Sequence, residues 1–84
     1  MMKTKEIDMF STGKRINKLR VAKGIKVKEL AEMMGVTVMS CYKWINGKSL
    51  PSIDNIVRLS GIFDTNIDNM IVTNYHGDSK NFDD

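Results

Sequence analysis

The chain has 84 residues, enough for one domain but not for a large core; a chain this short buries only roughly 60% of its unfolded surface. One cysteine excludes an internal disulfide framework, and no run approaches the ~18 apolar residues of a membrane span. The net charge of +3 is unevenly placed: residues 1–50 hold eleven Lys and Arg against four Asp and Glu, whereas residues 51–84 hold two against six.

A basic front half and an acidic back half point to one face for a polyanion, although an uneven solvated surface has the same composition. The opening stretch MMKTKEIDMF has no apolar run of the secretory kind. With a lone Cys, the expected compartment is the reducing cytoplasm.

Residues 1–11 are weakly patterned and read as a flexible arm. A helical period starts at Thr12, with Ile16, Leu19 and the stem of Lys23 on one face. Ser11 or Thr12 is the expected cap, and Lys23-Gly24 the expected end. A second helix runs from Val27 to Met34, turns Leu30, Ala31 and Met34 inward, and stops at Gly35. Thr37 caps a third helix from Val38 to about Trp44, in which Cys41, Trp44 and Ile45 share a face. Asn46-Gly47 is a turn signal, and Pro51 is extended or in a turn. Ser52 caps a fourth helix with the stripe Ile53, Ile56, Leu59 and Ile62 or Phe63. Asn66 caps a fifth, short helix carrying Ile67, Met70 and Ile71. Residues 73–84, TNYHGDSKNFDD, read as a polar tail. VTVM is the one strand-like segment, and the helical pattern around it is stronger. The expected fold is therefore all-α, five helices packed over residues 12–72.

The connection between the second and third helices, Gly35-Val36-Thr37, is very short. It forces a crossing near the ~90–120° of a helix-turn-helix. Such a crossing needs a small residue, met by Ala31, and a residue tolerant of positive φ, met by Gly35. Val36 plugs the space beneath the turn. The third helix then turns Val38, Met39, Tyr42 and Lys43 outward, an unusually apolar face for water.

The stretches GKRINKLRVAKGIKVKELAEMMGV and YKWINGKSLPSIDNIVRLSGIFDTNIDNMI add an L-A-x-x-x-G-V core and a W-x-x-G-x-x-x-P signature. Through these motifs the chain, from about Gly13 to Ile71, resembles the Cro/C1-type (Xre-like) helix-turn-helix family of bacteria and their mobile elements. The resemblance implies a five-helix, lambda-repressor-like domain whose helix 38–45 enters the DNA major groove. It implies base contacts from Val38, Met39 and Lys43, with Tyr42 alongside. Lys43 can donate to guanine O6 and N7, and the two apolar residues can pack on thymine methyl groups. It places Lys26, Val27, Lys28, Thr37, Ser40, Asn46 and Lys48 at phosphates, which position the protein without specifying sequence.

The sequence departs from the family pattern at several positions. Val27 and Val38 stand where Gln is frequent, so Val27 has only its backbone N–H and the helix dipole to offer a phosphate. Lys26 replaces the usual Ser or Thr cap. Ile45 stands where many relatives carry an acidic partner for the Arg matched by Arg20. Arg20 is therefore expected to face phosphate, solvent or another acceptor.

The Ile67, Met70, Ile71 and Tyr75 group either closes the core or pairs two subunits about a two-fold axis. A homodimer on DNA is the expected assembly. One His and one Cys cannot build a zinc site, no cofactor is implied and no catalytic arrangement is visible, so no enzyme activity is expected. Glu29 and Glu32 read as a solvated helix face, Cys41 and Trp44 as core, and His76 as exposed. The expected function is a sequence-specific regulator of transcription, a repressor, acting on double-stranded DNA. The alternative is a protein-interaction module on the same fold, such as an antitoxin or anti-regulator.

Overall fold

The computed structural model describes residues 3–77; the rest of the expected tail lies outside the described residues. The elements in chain order are β1 (Lys3–Ile7), α1 (Met9–Ala22), α2 (Val27–Met34), α3 (Val38–Ile45), α4 (Ile53–Ile62), α5 (Ile67–Met70) and β2 (Thr73–Gly77). Among the described residues, no helix is long and apolar enough to cross a membrane.

Helix ends fall where local chemistry satisfies the orphan groups of the first and last turns. At α1 the cap is Asp8, whose Oδ1 accepts from the Ser11 N–H at 2.9 Å. This corrects the expected cap at Ser11 or Thr12: the helix begins at Met9, and both residues lie inside it. Thr37 Oγ1 accepts from the Ser40 N–H at 3.0 Å to open α3, and Ser52 Oγ accepts from the Asn55 N–H at 3.2 Å to open α4. Gly35 ends α2 at φ 68°, a left-handed conformation that glycine adopts without a Cβ penalty.

The core is one cluster that includes Ile16, Leu30, Ala31, Met34, Cys41, Trp44, Ile56, Leu59, Phe63 and Met70. Ala31 is buried where α2 meets α3, and Val36 packs partly buried against the same cluster. Cys41 is fully buried, and desolvation pushes its thiol above its ordinary value, which leaves it a small core residue with little thiolate. Ile53 departs from expectation. It is 81% exposed, because the α4 stripe reaches the core at Ile56, Leu59 and Phe63 while the first turn projects past it.

Gly13 fixes the approach of α1 to α3. A Cβ there would lie 2.2 Å from the Trp44 carbonyl oxygen and 2.7 Å from that of Ile45, so the absence of a side chain lets α1 rest directly on the end of α3.

The all-α expectation needs one correction. β1 and β2 form a two-stranded antiparallel sheet, with Lys3 opposite Gly77 and Ile7 opposite Thr73. The segment read as an arm is thus strand over Lys3–Ile7 and helix from Met9, and the described part of the tail, Thr73–Gly77, is its partner strand. An isolated two-stranded ribbon is marginal in water. Here a clasp holds its base: the Asp8 N–H donates to the Val72 carbonyl at 2.8 Å, and the buried Thr12 hydroxyl accepts from the Val72 N–H at 3.0 Å and donates to its carbonyl at 3.3 Å. Asn74 Nδ2 donates to Asp8 Oδ2 at 2.9 Å.

The Asp8 carboxylate accepts from the Ser11 N–H and from Asn74, which holds its pKa below the ordinary value. A lowered folded pKa gives stability that is present above the unfolded pKa and lost as pH falls through the folded one. Hydrogen-exchange protection at Thr73–Tyr75 should therefore decline in acid, below about pH 4. Asp8→Ala should show low protection there already at neutral pH and no further acid step. Protection independent of both pH and the substitution would contradict the clasp.

Candidate nucleic-acid interface

The α2–α3 unit presents its outer face as follows. On α3, Cys41 and Trp44 are buried, which turns Val38, Met39, Tyr42 and Lys43 to solvent. Met39 is 67% exposed and Tyr42 49%, more than a monomer core would leave by choice. The structure therefore brings all four expected base-reading residues onto one exposed face.

The seven expected phosphate residues divide. Lys26, Lys28, Thr37, Asn46 and Lys48 are exposed, and Ser40 is half-buried. The Val27 side chain is buried in the core, so any contact from that position must use its backbone. The local chemistry leaves that backbone available. The Lys26 N–H donates to Glu29 Oε1 at 2.8 Å, the half of a capping box that a lysine permits. A lysine side chain has no acceptor for the reciprocal half. The Lys26 side chain thus leaves the first-turn N–H groups of α2 uncapped, at the positive end of the helix dipole.

Thr37 is locked by its neighbour: besides capping α3, its hydroxyl donates to Ser40 Oγ at 3.0 Å. After α3 the turn is tied back, because the Lys48 and Ser49 N–H groups donate to the Lys43 carbonyl at 2.8 and 3.3 Å. Gly47, at φ 71°, lets that turn approach α1, where a Cβ would sit 2.8 Å from Phe10 Cα. Lys43 and Lys48 are thus carried on a braced helix end.

Arg20 lies in the last turn of α1 and reaches across to the α1–α2 turn. Its Nη2 and Nε donate to Asn17 Oδ1 at 2.7 and 3.1 Å, and its Nη1 to the Ile25 carbonyl at 2.7 Å. With Ile45 unable to pair with it, the guanidinium has taken the other acceptor that the sequence left open. Asn17 is a partner that the expectation for Arg20 does not include, although the i, i+3 spacing carries the signal.

The expected subunit-pairing group is split. Met70 is fully buried and closes the core, which corrects its place in an accessible interface. Ile67 and Tyr75 are exposed, and Ile71 is half-buried. Ile67 and Ile71 line an open cleft of about 260 Å³ with Lys5, Asp68 and Thr73, and the Lys5 ammonium lies 5.9 Å from the Tyr75 ring centre.

A helix-turn-helix family model matches residues 16–69. A protein of Pyrococcus furiosus, named as an HTH-type transcriptional regulatory protein, is 42% identical over 52 residues. The match covers 62% of this chain and 16% of that relative, so the chain spans about one sixth of its length. Among solved structures, the restriction-modification controller protein C.AhdI from Aeromonas hydrophila superposes with a TM-score of 0.69 at 27% identity, covering 75% of this chain and 96% of that one. The P22 c2 repressor, solved with a synthetic operator, gives a TM-score of 0.67 at 25% identity, covering 70% of this chain and 89% of that one. With the family model spanning most of the chain and the α2–α3 geometry in place, the chain belongs to the Cro/C1-type helix-turn-helix family.

Proposed function

We propose that this chain is a sequence-specific, double-stranded DNA-binding regulator of transcription, acting as a repressor in the cytoplasm with α3 in the major groove. The observation that carries this reading is the α3 face: Val38, Met39 and Tyr42 stand exposed beside Lys43, on a helix whose opposite side is fixed in the core. The operator bound to the P22 c2 repressor supports the same use of this fold.

In this reading Lys43 donates to guanine, Val38 and Met39 pack on thymine methyl groups, and Tyr42 contacts a base or a phosphate. Thr37, Ser40, Asn46 and Lys48 hold one phosphate strand. The uncapped N–H groups at Val27, supported by Lys26 and Lys28, hold another. Two copies meet through Ile67, Ile71 and Tyr75 and address half-sites about 34 Å apart.

The test is selection of duplexes from a random pool by the full chain. The expected product is a two-fold symmetric sequence with half-sites about one helical turn apart. Failure to enrich any sequence at low salt would overturn the reading. It would favour the protein-interaction alternative, an antitoxin or anti-regulator, for which the exposed Met39 supplies an adaptable apolar contact.

A further inference from the structure

The end of α2 is held from α4. Helix ends leave carbonyls without intrahelical donors. At α2 the turn itself serves two of them: the Ala31 carbonyl accepts from the Val36 N–H at 3.0 Å, and the Glu32 carbonyl from the Gly35 N–H at 3.2 Å. The Met34 carbonyl takes no donor from the turn, and it belongs to a residue only 2% exposed. Its donor is Arg58 Nη1, 3.3 Å away on α4. The last turn of α2 carries Glu32 and no basic residue, so Arg58 also brings a cation to the negative end of a helix dipole that α2 leaves uncompensated.

The bond is directed. Asp54 stands four residues before Arg58 on α4, the usual i, i+4 partner for an exposed arginine. No ion pair joins the two, and the guanidinium crosses to α2 instead. Ile56 and Leu59 are buried, so α4 gives Arg58 a fixed base. The oxygen it meets belongs to the peptide plane between Met34 and Gly35. That plane is rigid, so holding its oxygen fixes the entry into Gly35, whose φ of 68° and missing Cβ make it the natural swivel of the turn. The Thr37 cap and the first base-facing residues, Val38 and Met39, follow directly.

We propose that Arg58 is a positioning residue for DNA reading: by holding the Met34 carbonyl it fixes the turn that aims α3, without touching DNA itself. This role rests on α3 being the reading helix. Base-edge contacts need placement within about 0.5 Å, whereas lysines that reach phosphates have long flexible stems that absorb a small shift. Loss of Arg58 therefore costs selectivity rather than general affinity. At 3.3 Å the bond is long for a charge-assisted one, so its share in the stability of the fold is small.

The test compares the full chain with its Arg58→Ala and Arg58→Lys variants by fluorescence anisotropy. Each is titrated on the duplex selected from the random pool and on a scrambled duplex of equal length, at several salt concentrations. Circular dichroism melts fix a temperature at which all three are folded. Arg58→Ala should lose at least about fivefold in affinity for the selected duplex and less than about twofold for the scrambled one, with an unchanged slope of log K against log salt. Arg58→Lys keeps a cation and a donor of similar reach, and should recover selectivity to within about twofold of wild type. An Arg58→Ala protein as selective as wild type would overturn the proposal, and so would an Arg58→Lys protein as unselective as Arg58→Ala. A salt slope shallower by about one would also overturn it, since Arg58 would then be a phosphate contact. If wild type itself does not distinguish the duplexes, the reading by α3 fails and the role of Arg58 falls with it; if wild type distinguishes them and Arg58→Ala does so equally, only the role of Arg58 fails.

Discussion

Replacing Gly13 with alanine should remove much of the domain's stability. The added Cβ would meet the Trp44 carbonyl oxygen at 2.2 Å, and the Ile45 carbonyl oxygen and carbon at 2.7 and 3.0 Å. All three atoms are backbone, so no side-chain rotation relieves the clash. α1 must lift from α3, which opens the core where Ile16 and Trp44 are buried. Overpacking ordinarily costs about 1–3 kcal/mol, and a crossing with no give should sit at or above the top of that range. Small domains hold only about 5 kcal/mol at the low end. A fall in Tm of at least about 10 °C by circular dichroism is expected. Gly61→Ala is the matched control. Nothing lies within 4 Å of its Cβ position inside α4, so alanine should raise stability by about 0.5–1 kcal/mol. A Gly13→Ala protein melting within about 2 °C of wild type would contradict the observed α1–α3 crossing.

The second large effect is that of salt on DNA affinity. The proposed interface places Lys26, Lys28 and Lys48 against phosphates in each copy, six in a dimer, with Lys43 on a base. Neutralising 6–10 phosphates releases enough counterions to weaken binding roughly 10³–10⁵-fold between 50 and 200 mM salt. A dimer using these lysines on both half-sites falls in that range. A single copy with three phosphate-facing lysines should show a slope of only about −3 in log K against log salt. The slope, read by anisotropy on a selected duplex, therefore reports both the electrostatic face and the number of copies on DNA. An affinity independent of salt would contradict the assigned phosphate contacts.

What the sequence made legible follows from where the determinants lie. The bounds of α2 and α3 were readable because they are local: Gly35 and Asn46-Gly47 punctuate them, and Thr37 caps α3 with its own side chain. The α3 face was readable because burying Cys41 and Trp44 fixes which residues point out. The sheet was not readable. β1 and β2 are far apart in sequence, neither alternates apolar with polar residues, and their pairing rests on the Asp8, Thr12 and Val72 clasp. The Asp8 cap is hidden for the same reason, because the stretch before it carries no helical or strand period. Ile53 and Met70 show the limit of periodicity, which gives a face but not how far the core extends along it. Their exposures, 81% and 0%, are set by neighbouring elements. Arg20 lay between these cases: the loss of its acidic partner was visible, but its new acceptors, Asn17 and the Ile25 carbonyl, depended on the turn between α1 and α2.

The central claim is that α3 reads base edges, and Lys43→Ala tests it most directly. Affinities of wild type and variant would be measured by anisotropy on the selected duplex and on a scrambled duplex of equal length, at one salt concentration. A base contact predicts a loss of about 1–3 kcal/mol, roughly ten- to hundredfold, on the selected duplex, with a much smaller loss on the scrambled one. Equal losses on both duplexes, or no loss on either, would show that Lys43 reads no base and would contradict α3 as the reading helix.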